Sequence, residues 1–261
     1  MTKIVVLVKQ VPDTYSERKL TEGDHTLDRE SADAVLDEIN ERAVEEALKI
    51  KEAGEGEVTV VSVGPDRVTD AIRKALSMGA DRAIHVSDEA LKGSDLIATA
   101  KVLAAAIGKV EGYDLVIAGN EASDGRGGAV PAAVAELLGL PQLTHLREVT
   151  VEGTTIKGVR DTEDGRTTLE ATLPALVSVT EKINEPRYPS FKGIMAAKKK
   201  PVDTLTIADL DIDASQVGLA NAWSTVVEAS PKPPRQAGQR VPDEGDGGAK
   251  IAEYLVGQKL I

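Results

Sequence analysis

Four glycines lie close together in the stretch GNEASDGRGGAVP (119–131): Gly119, Gly125, Gly127 and Gly128. Small residues let backbone N–H groups approach an anion, and the N-terminus of the helix that follows attracts negative charge. Pro131 suits the first turn of that helix, and Arg126 adds a positive charge. The stretch is therefore a candidate phosphate-binding loop; the alternative is a flexible turn before a helix.

The residues for bond-breaking chemistry are sparse. Neither GxxxxGK[ST] nor GxGxxG follows any predicted strand, no GxSxG elbow occurs, and the first strand runs into KQVPDT. The three histidines, His25, His85 and His145, are too scattered for metal-ligand spacing. The carboxylates of LDEINERAVEE (36–46) are interpreted as a solvated helical face. These patterns favour a binding protein that holds phosphate without cleaving it.

The composition excludes several classes of protein. A net charge of −12 argues against nucleic-acid binding, since AAKKKP (196–201) is the only dense basic run. The absence of cysteine excludes disulfides and cysteine-ligated iron–sulfur clusters. No apolar stretch approaches the roughly 20 residues of a membrane helix, and the first ten residues have too short an apolar run for a signal peptide. We expect a soluble, cytoplasmic protein.

Strand-like and helical patterns alternate through the first half. Apolar, β-branched runs at 3–9, 58–64, 82–86 and 114–119 are separated by segments with apolar residues three and four apart, at 41–53, 66–80 and 95–110. This alternation predicts an α/β fold, a Rossmann-like parallel sheet flanked by helices.

The pattern then changes. Residues 146–180 read as an antiparallel β extension with turns at Glu152–Gly153 and Asp164–Gly165. From about Pro201 the chain is rich in Pro, Gly and Asp and ends in a short helical pattern at 249–260. We predict a domain at 1–200 and an extended C-terminal arm at 201–261. The arm is either a disordered tail or a segment that folds against a second protein.

The single phenylalanine, Phe191, lies in INEPRYPSFKGIMAAKKK (183–200), a segment without helical or strand period. An exposed aromatic side chain among polar residues is typical of a protein–protein contact. The alternative is that Phe191 tucks beneath its own loop.

Several segments together resemble the β subunit of bacterial electron-transfer flavoproteins. They are VVLVKQVPDT (5–14), RKALSMGADRAIHV (73–86), DGRGGAVPAAVAELLGLPQ (124–142) and LPALVSVTEKINEPRYPSFKGIMAAKKK (173–200). The similarity covers nearly the whole chain, and the last segment is the most specific.

The resemblance implies an electron-carrier subunit, with no catalytic residues of its own, in a heterodimer with a larger α subunit. The α subunit would carry most of the FAD site, and the β subunit would hold AMP structurally. Electrons would arrive from acyl-CoA and related flavoprotein dehydrogenases of fatty-acid oxidation and leave toward a membrane quinone oxidoreductase. Three alternatives stay open: a bifurcating subunit with a second FAD in place of AMP, a stand-alone adenine-nucleotide sensor, and an ATP hydrolase or ligase.

The resemblance also implies site residues. The AMP contacts would be Leu7, Asp37, Glu38, Ile39, Asn40, Val63, Gly119, Asn120, Glu121, Ala122, Ser123, Asp124, Gly125, Arg126, Gly127, Gly128, Ala129 and Val130. Many relatives carry Thr-x-Gln where this chain has Gly127, Gly128 and Ala129. Backbone N–H groups and Arg126 would then replace the missing side-chain donors.

Two further groups follow from the resemblance, and no metal ligands are implied. Thr14, Tyr15 and Asp161 would lie near FAD. A recognition loop would dock the dehydrogenase, with Phe191 as its anchor where relatives usually have an aliphatic residue. That loop spans 184–200, and its partner contacts would be Tyr188, Pro189, Ser190, Phe191, Lys192, Gly193, Ile194 and Met195.

Overall fold

The computed structural model describes residues 2–230, 232–235, 237–238 and 240–261, in two compact units that divide between Val227 and Glu228. The strands are β1 (Thr2–Leu7), β2 (Gln10–Pro12), β3 (Ala34–Leu36), β4 (Gly56–Val63), β5 (Arg82–Val86), β6 (Leu115–Gly119), β7 (Gln142–Leu146), β8 (Glu148–Glu152), β9 (Thr155–Thr162), β10 (Gly165–Thr172), β11 (Ala175–Val179) and β12 (Val202–Leu205). The helices are α1 (Glu38–Ala53), α2 (Thr69–Met78), α3 (Leu96–Ile107), α4 (Val130–Leu138), α5 (Phe191–Ala197) and α6 (Gly247–Gly257).

The first unit is built on a seven-stranded sheet in the order β12-β5-β4-β1-β6-β11-β7, with every neighbouring pair parallel. Alternate residues of β1 point to opposite faces of the sheet and pack in two separate cores. Ile4 and Val6 pack in the core that contains residues of α1 and α2, whereas Val5 and Leu7 pack in the core that contains residues of α3 and α4. The predicted parallel sheet with helices on both faces is confirmed.

The region 146–180 is only partly the antiparallel extension that the sequence predicted. β8, β9 and β10 do form a three-stranded antiparallel sheet. However, β11 is a parallel strand between β6 and β7 of the main sheet, with all five residues buried. An uninterrupted apolar run such as ALVSV is typical of a strand that is covered on both faces. The prediction was wrong because it grouped this run with the neighbouring strands, in which apolar and polar residues alternate.

The unit boundary falls at Val227/Glu228 instead of residue 200. β12 pairs with β5 at the edge of the main sheet, and Ile207, Leu210 and Val217 are buried in its core. Because these apolar residues are widely spaced among polar ones, the segment after Pro201 has no clear sequence period. In the second unit, α6 confirms the predicted short helix, and none of its residues is buried.

Two local elements were not predicted. β2 and β3 form a small antiparallel pair that closes the base of a loop at residues 13–33. The segment around Phe191 forms α5, whose N-cap Ser190 accepts a hydrogen bond from the N–H of Gly193. A helix of seven residues is too short to display a clear 3.6-residue period.

Candidate functional site

A crevice is expected where the order of strands reverses, at the carboxyl ends of β1 and β6. The chain lays down β4 and β5 on one side of β1, and it then places β6 on the other side. Leu7, Val63 and Gly119 end β1, β4 and β6, so the structure brings these predicted residues to one edge of the sheet.

Asp37 fastens the glycine-rich loop to α1. Its buried carboxylate caps the helix by accepting hydrogen bonds from the N–H groups of Ile39 (3.0 Å) and Asn40 (3.1 Å). Its other oxygen accepts a hydrogen bond from the N–H of Ser123 (2.7 Å). Both carboxylate oxygens therefore already have protein partners, which makes Asp37 a structural part of the site.

Asn40 and Gly119 meet at the floor of the crevice. The Asn40 Oδ1 accepts a hydrogen bond from the N–H of Lys9 at 2.7 Å. A Cβ atom on Gly119 would lie only 2.5 Å from the Asn40 Nδ2 and 3.1 Å from a methyl carbon of Ile39. Glycine is therefore required at 119 for α1 to approach the end of β6.

The loop beyond Gly119 leaves space and backbone donors. A Cβ on Gly125 would meet no atom within 4 Å, and one on Gly127 would meet only Leu96 at 3.9 Å. Arg126 (φ 50°) and Gly128 (φ 64°) have left-handed backbones. Ala129 is the N-cap of α4, and no side chain among the described residues caps this helix. The N–H groups of its first turn are thus available to an anion.

Two buried polar atoms in the loop have no hydrogen-bond partner among the described residues: the Ser123 Oγ and the Asn120 Oδ1. The amide nitrogen of Asn120 lies 3.2 Å from the Nδ1 of His145. A buried polar atom without a partner is costly unless a ligand or water satisfies it. The two atoms, the open glycines and the uncapped helix together fit a bound phosphate and its sugar.

Of the other predicted nucleotide contacts, Asp124 is the least accessible. Its side chain is 2% exposed and pairs with Lys9 (2.9 Å) and Arg29 (3.0 Å). Glu38 is exposed on the first turn of α1, and Glu121 lies 3.9 Å from the Arg126 guanidinium. Ala122 accepts a hydrogen bond from the N–H of Arg126. Val130 is the first residue of α4.

The residues predicted near FAD lie in two other elements. Thr14 and Tyr15 belong to the loop 13–33, where the Tyr15 side chain is 98% exposed. Asp161 is in β9, where its carboxylate accepts hydrogen bonds from Arg147 (2.6 Å) and Arg166 (3.1 Å). These hydrogen bonds hold the pKa of Asp161 below its usual range.

The predicted recognition segment exposes apolar side chains. Tyr188 is 95% exposed and Phe191 is 80% exposed, and about half of Ile194 and Met195 is exposed. Phe191 therefore does not tuck beneath its own loop. Four neighbouring apolar groups on a surface are typical of a docking patch.

The base of this segment is held by α1. The Arg187 guanidinium donates to both carboxylate oxygens of Glu45, at 2.8 and 3.0 Å, and its Nη2 also donates to Glu52 at 3.0 Å. Hydrogen bonds to Glu52 and Glu45 raise the pKa of Arg187. Asn184 donates to Glu46 at 2.9 Å, and burial raises the pKa of Glu46.

The interpretation of residues 36–46 as a solvated face was therefore wrong for the fully buried Asp37, which caps α1, and for Glu45 and Glu46, which are 5% and 7% exposed. The partners of Glu45 and Glu46, Arg187 and Asn184, are more than 130 residues away in the sequence. The pattern of a single helix contains no signal for such pairs. Only the polar stretch NEPR (184–187) supplies side chains in the sequence that could hold this segment to another element.

α5 is packed tightly on α2. A Cβ on Gly193 would lie 2.5 Å from the carbonyl oxygen of Ser77. Arg73 donates to the carbonyl oxygens of Ala197 (2.6 Å) and Lys200 (2.9 Å). Lys200 itself donates to the carbonyl of Leu76, and burial lowers its pKa, so it is not part of a free basic run.

Comparison with known proteins decides the family. A sequence profile of the electron transfer flavoprotein domain matches residues 24–210. The chain is 65% identical to the electron transfer flavoprotein subunit beta of Mycobacterium tuberculosis, over 100% of both chains. This chain belongs to the electron transfer flavoprotein family.

More distant relatives of this electron transfer flavoprotein chain are also similar over most of their length. The subunit beta of Thermoanaerobacterium thermosaccharolyticum is 41% identical over 90% of both chains. The caffeyl-CoA reductase-Etf complex subunit CarD of Acetobacterium woodii is 38% identical, again over 90% of both. Within the described residues, no helix is long and apolar enough to span a membrane. The same residues contain no group of three acidic or histidine side chains that could hold a metal.

Proposed function

We propose that this chain is the β subunit of a heterodimeric electron transfer flavoprotein and that it holds one AMP in the crevice at the ends of β1 and β6. The observation that carries the proposal is the pair of unpartnered buried atoms, the Ser123 Oγ and the Asn120 Oδ1, beside an open glycine loop. The family membership and the 65% identity to β subunits support the subunit assignment.

Within this proposal the phosphate lies against the N–H groups of residues 127–130 and the guanidinium of Arg126. Those backbone groups replace the side-chain donors that Gly127, Gly128 and Ala129 lack. The ends of β1 and β4, at Leu7 and Val63, would flank the adenosine. The lysine at the loop, Lys9, is ion-paired with Asp124 at 2.9 Å, and the described residues contain no group of three acidic or histidine side chains that could hold a metal. The role of the nucleotide is therefore structural.

A second candidate is that the same crevice holds FAD instead of AMP. The open space beside Gly125 and Gly127 favours it, since a second phosphate needs room on that side. Similarity to a subunit named for a caffeyl-CoA reductase-Etf complex also supports this candidate. In that case the chain would take part in splitting electron pairs between two acceptors.

We further propose that the α subunit carries most of the redox-active FAD site. FAD supplies the one- and two-electron chemistry when it is bound. Thr14 and Tyr15 would approach its ring from the exposed loop 13–33, and Asp161 would steady the flavin domain. The C-terminal arm would pack on the α subunit, which fits the exposure of Ile251, Tyr254 and Val256 on α6.

The exposed patch at residues 188–195 would dock acyl-CoA dehydrogenases, with Phe191 as the anchor. Electrons would then pass to FAD and on to a membrane quinone oxidoreductase. The rigid base made by Arg187, Glu45 and α2 supports a docking role, because a fixed segment loses little entropy when it binds. The chain itself would act as a carrier subunit without catalytic residues, in the cytoplasm.

Expression with and without the α subunit tests the assignment. The chain produced alone should be colourless or unstable, and it should gain the yellow colour of bound flavin only when the α subunit is co-expressed. A stable, flavin-free monomer that binds ATP reversibly would instead identify a stand-alone nucleotide sensor.

A further inference from the structure

The Asp124 carboxylate joins the glycine loop to a different part of the chain. Its Oδ1 contacts the Lys9 Nζ at 2.9 Å, and its Oδ2 contacts an Nη of Arg29 at 3.0 Å. Oδ1 also accepts a hydrogen bond from the N–H of Gly125 at 2.8 Å. Asp124 is thus hydrogen-bonded to the first open glycine of the loop and ion-paired to a residue of the loop 13–33.

The loop 13–33 is secured near Arg29 and exposed near its other end. Arg67 donates to the carbonyl oxygens of Arg29 (2.6 Å) and Ala32 (3.4 Å). At the base, the N–H of Asp13 donates to the carbonyl of Asp33 at 2.8 Å. Tyr15 is 98% exposed. Between these fixed points, the Arg29 side chain is the link from the loop to the nucleotide crevice.

The ion pairs of Asp124 persist at neutral pH. Burial opposes ionisation of this carboxyl group, but Lys9 and Arg29 outweigh that effect and hold its pKa below the usual range. A buried carboxylate that loses one cation is strongly destabilised. A shift of the backbone at 124–125 therefore moves the carboxylate with which both Lys9 and Arg29 are paired.

We infer that Asp124 is a positioning residue that couples nucleotide occupancy of the glycine loop to the order of the loop 13–33. A phosphate bound beside Gly125 fixes the backbone that aims the Asp124 carboxylate, and the carboxylate in turn fixes Arg29. The loop that carries Tyr15 is then ordered by the nucleotide through Asp124 and Arg29. This inference rests on the proposed function, because it requires an adenine nucleotide in the crevice. By linkage the effect is reciprocal, so an ordered loop strengthens nucleotide binding.

Amide hydrogen exchange on the complete heterodimer tests the coupling. The exchange of peptides covering residues 14–28 is measured after the nucleotide has been removed and again with saturating AMP. We expect AMP to slow this exchange about tenfold in the unaltered protein, within the usual range of coupling between two sites. Equilibrium dialysis with labelled AMP measures binding in parallel.

The variant Arg29→Gln breaks the link outside the crevice. It should still bind AMP, but AMP should no longer slow exchange at residues 14–28. Arg18→Gln, which changes an exposed arginine of the same loop, is the matched control and should respond to AMP like the unaltered protein. A purely structural ion pair would give the same loop exchange with and without AMP.

The possible failures are distinguishable. If AMP binds the unaltered heterodimer and exchange at 14–28 does not change, the coupling is refuted and the nucleotide site stands. If AMP still slows exchange at 14–28 in Arg29→Gln as much as in the unaltered protein, the pair of Asp124 and Arg29 does not carry the coupling, and the inference is likewise refuted. If AMP does not bind at all, the proposed nucleotide site and the coupling both fall.

Discussion

The nucleotide crevice and the docking segment differ in how most of their polar groups are used, although the Asn184 Oδ1 at the base of the docking segment is also buried without a partner among the described residues. In the crevice, the Ser123 Oγ and the Asn120 Oδ1 are buried without partners, and Gly125 and Gly127 of the loop border open space. In the docking segment, Arg187 is hydrogen-bonded to Glu45 and Glu52, and the exposed side chains include the apolar Tyr188 and Phe191. A site for a small polar ligand keeps hydrogen-bonding capacity free, whereas a site for a protein partner uses that capacity to hold apolar side chains in place.

The largest expected effect is at the base of the docking segment. Arg187→Ala leaves the Glu45 carboxylate, 6% exposed, without its cation. Loss of one partner of a buried pair should lower the free energy of unfolding by roughly 3–5 kcal/mol. Urea unfolding of the heterodimer measures this loss. Lys192→Ala, at an exposed position, is the control. An equally small change in both variants would mean that Arg187 does not fasten the segment.

The next largest effect is expected from comparing a glycine substitution on the floor of the crevice with one on its open side. Gly119→Ala forces a Cβ against Asn40 and should lower the free energy of unfolding by about 1–3 kcal/mol. Gly125→Ala meets no protein atom and should change it by less than about 0.5 kcal/mol, while lowering the amount of nucleotide that co-purifies. Unchanged nucleotide content in Gly125→Ala would show that no ligand occupies the open side.

Phe191→Ala tests whether the exposed patch is used. Electron transfer from a partner dehydrogenase should slow about tenfold or more, as for an interface anchor worth at least ~1.4 kcal/mol. Because Phe191 is 80% exposed, stability and the FAD and AMP content should not change. Stopped-flow reduction of the flavin by the dehydrogenase measures the rate. Leu137→Ala, a half-exposed apolar residue on α4, is the control, and equal rates in both variants would contradict the anchor role.

The smallest effect concerns Glu46. Its raised pKa means that burial disfavours the charged form in the folded protein. The resulting destabilisation is therefore present above the folded-state pKa and disappears below the ordinary value of about 4.3. Glu46→Gln should be more stable than the unaltered protein at pH 7, by about 1 kcal/mol or less, and equal to it at pH 4. A lower stability of the variant at pH 7 would show that the charge is needed by Asn184.

The sequence predicted the parallel sheet because alternating strand and helix periods extend over the first half of the chain, and it predicted the glycine loop because four glycines lie within ten residues. β11, a short apolar run, and β12, a mixed run VDTL, were harder to predict, since only pairing with strands distant in sequence decides which sheet a short strand joins. The same limit applied to Glu45 and Glu46, which look like solvent-facing residues until Arg187 and Asn184 are placed beside them. The link from Asp124 to Arg29 joins residues 95 positions apart and has no sequence period either.

The central claim is that the crevice of this chain holds AMP as a structural ligand. Denaturing the purified heterodimer and separating the released nucleotides by chromatography tests it most directly. The account predicts one FAD and one AMP per heterodimer. Two FAD molecules without AMP, or FAD with no second nucleotide, would contradict it.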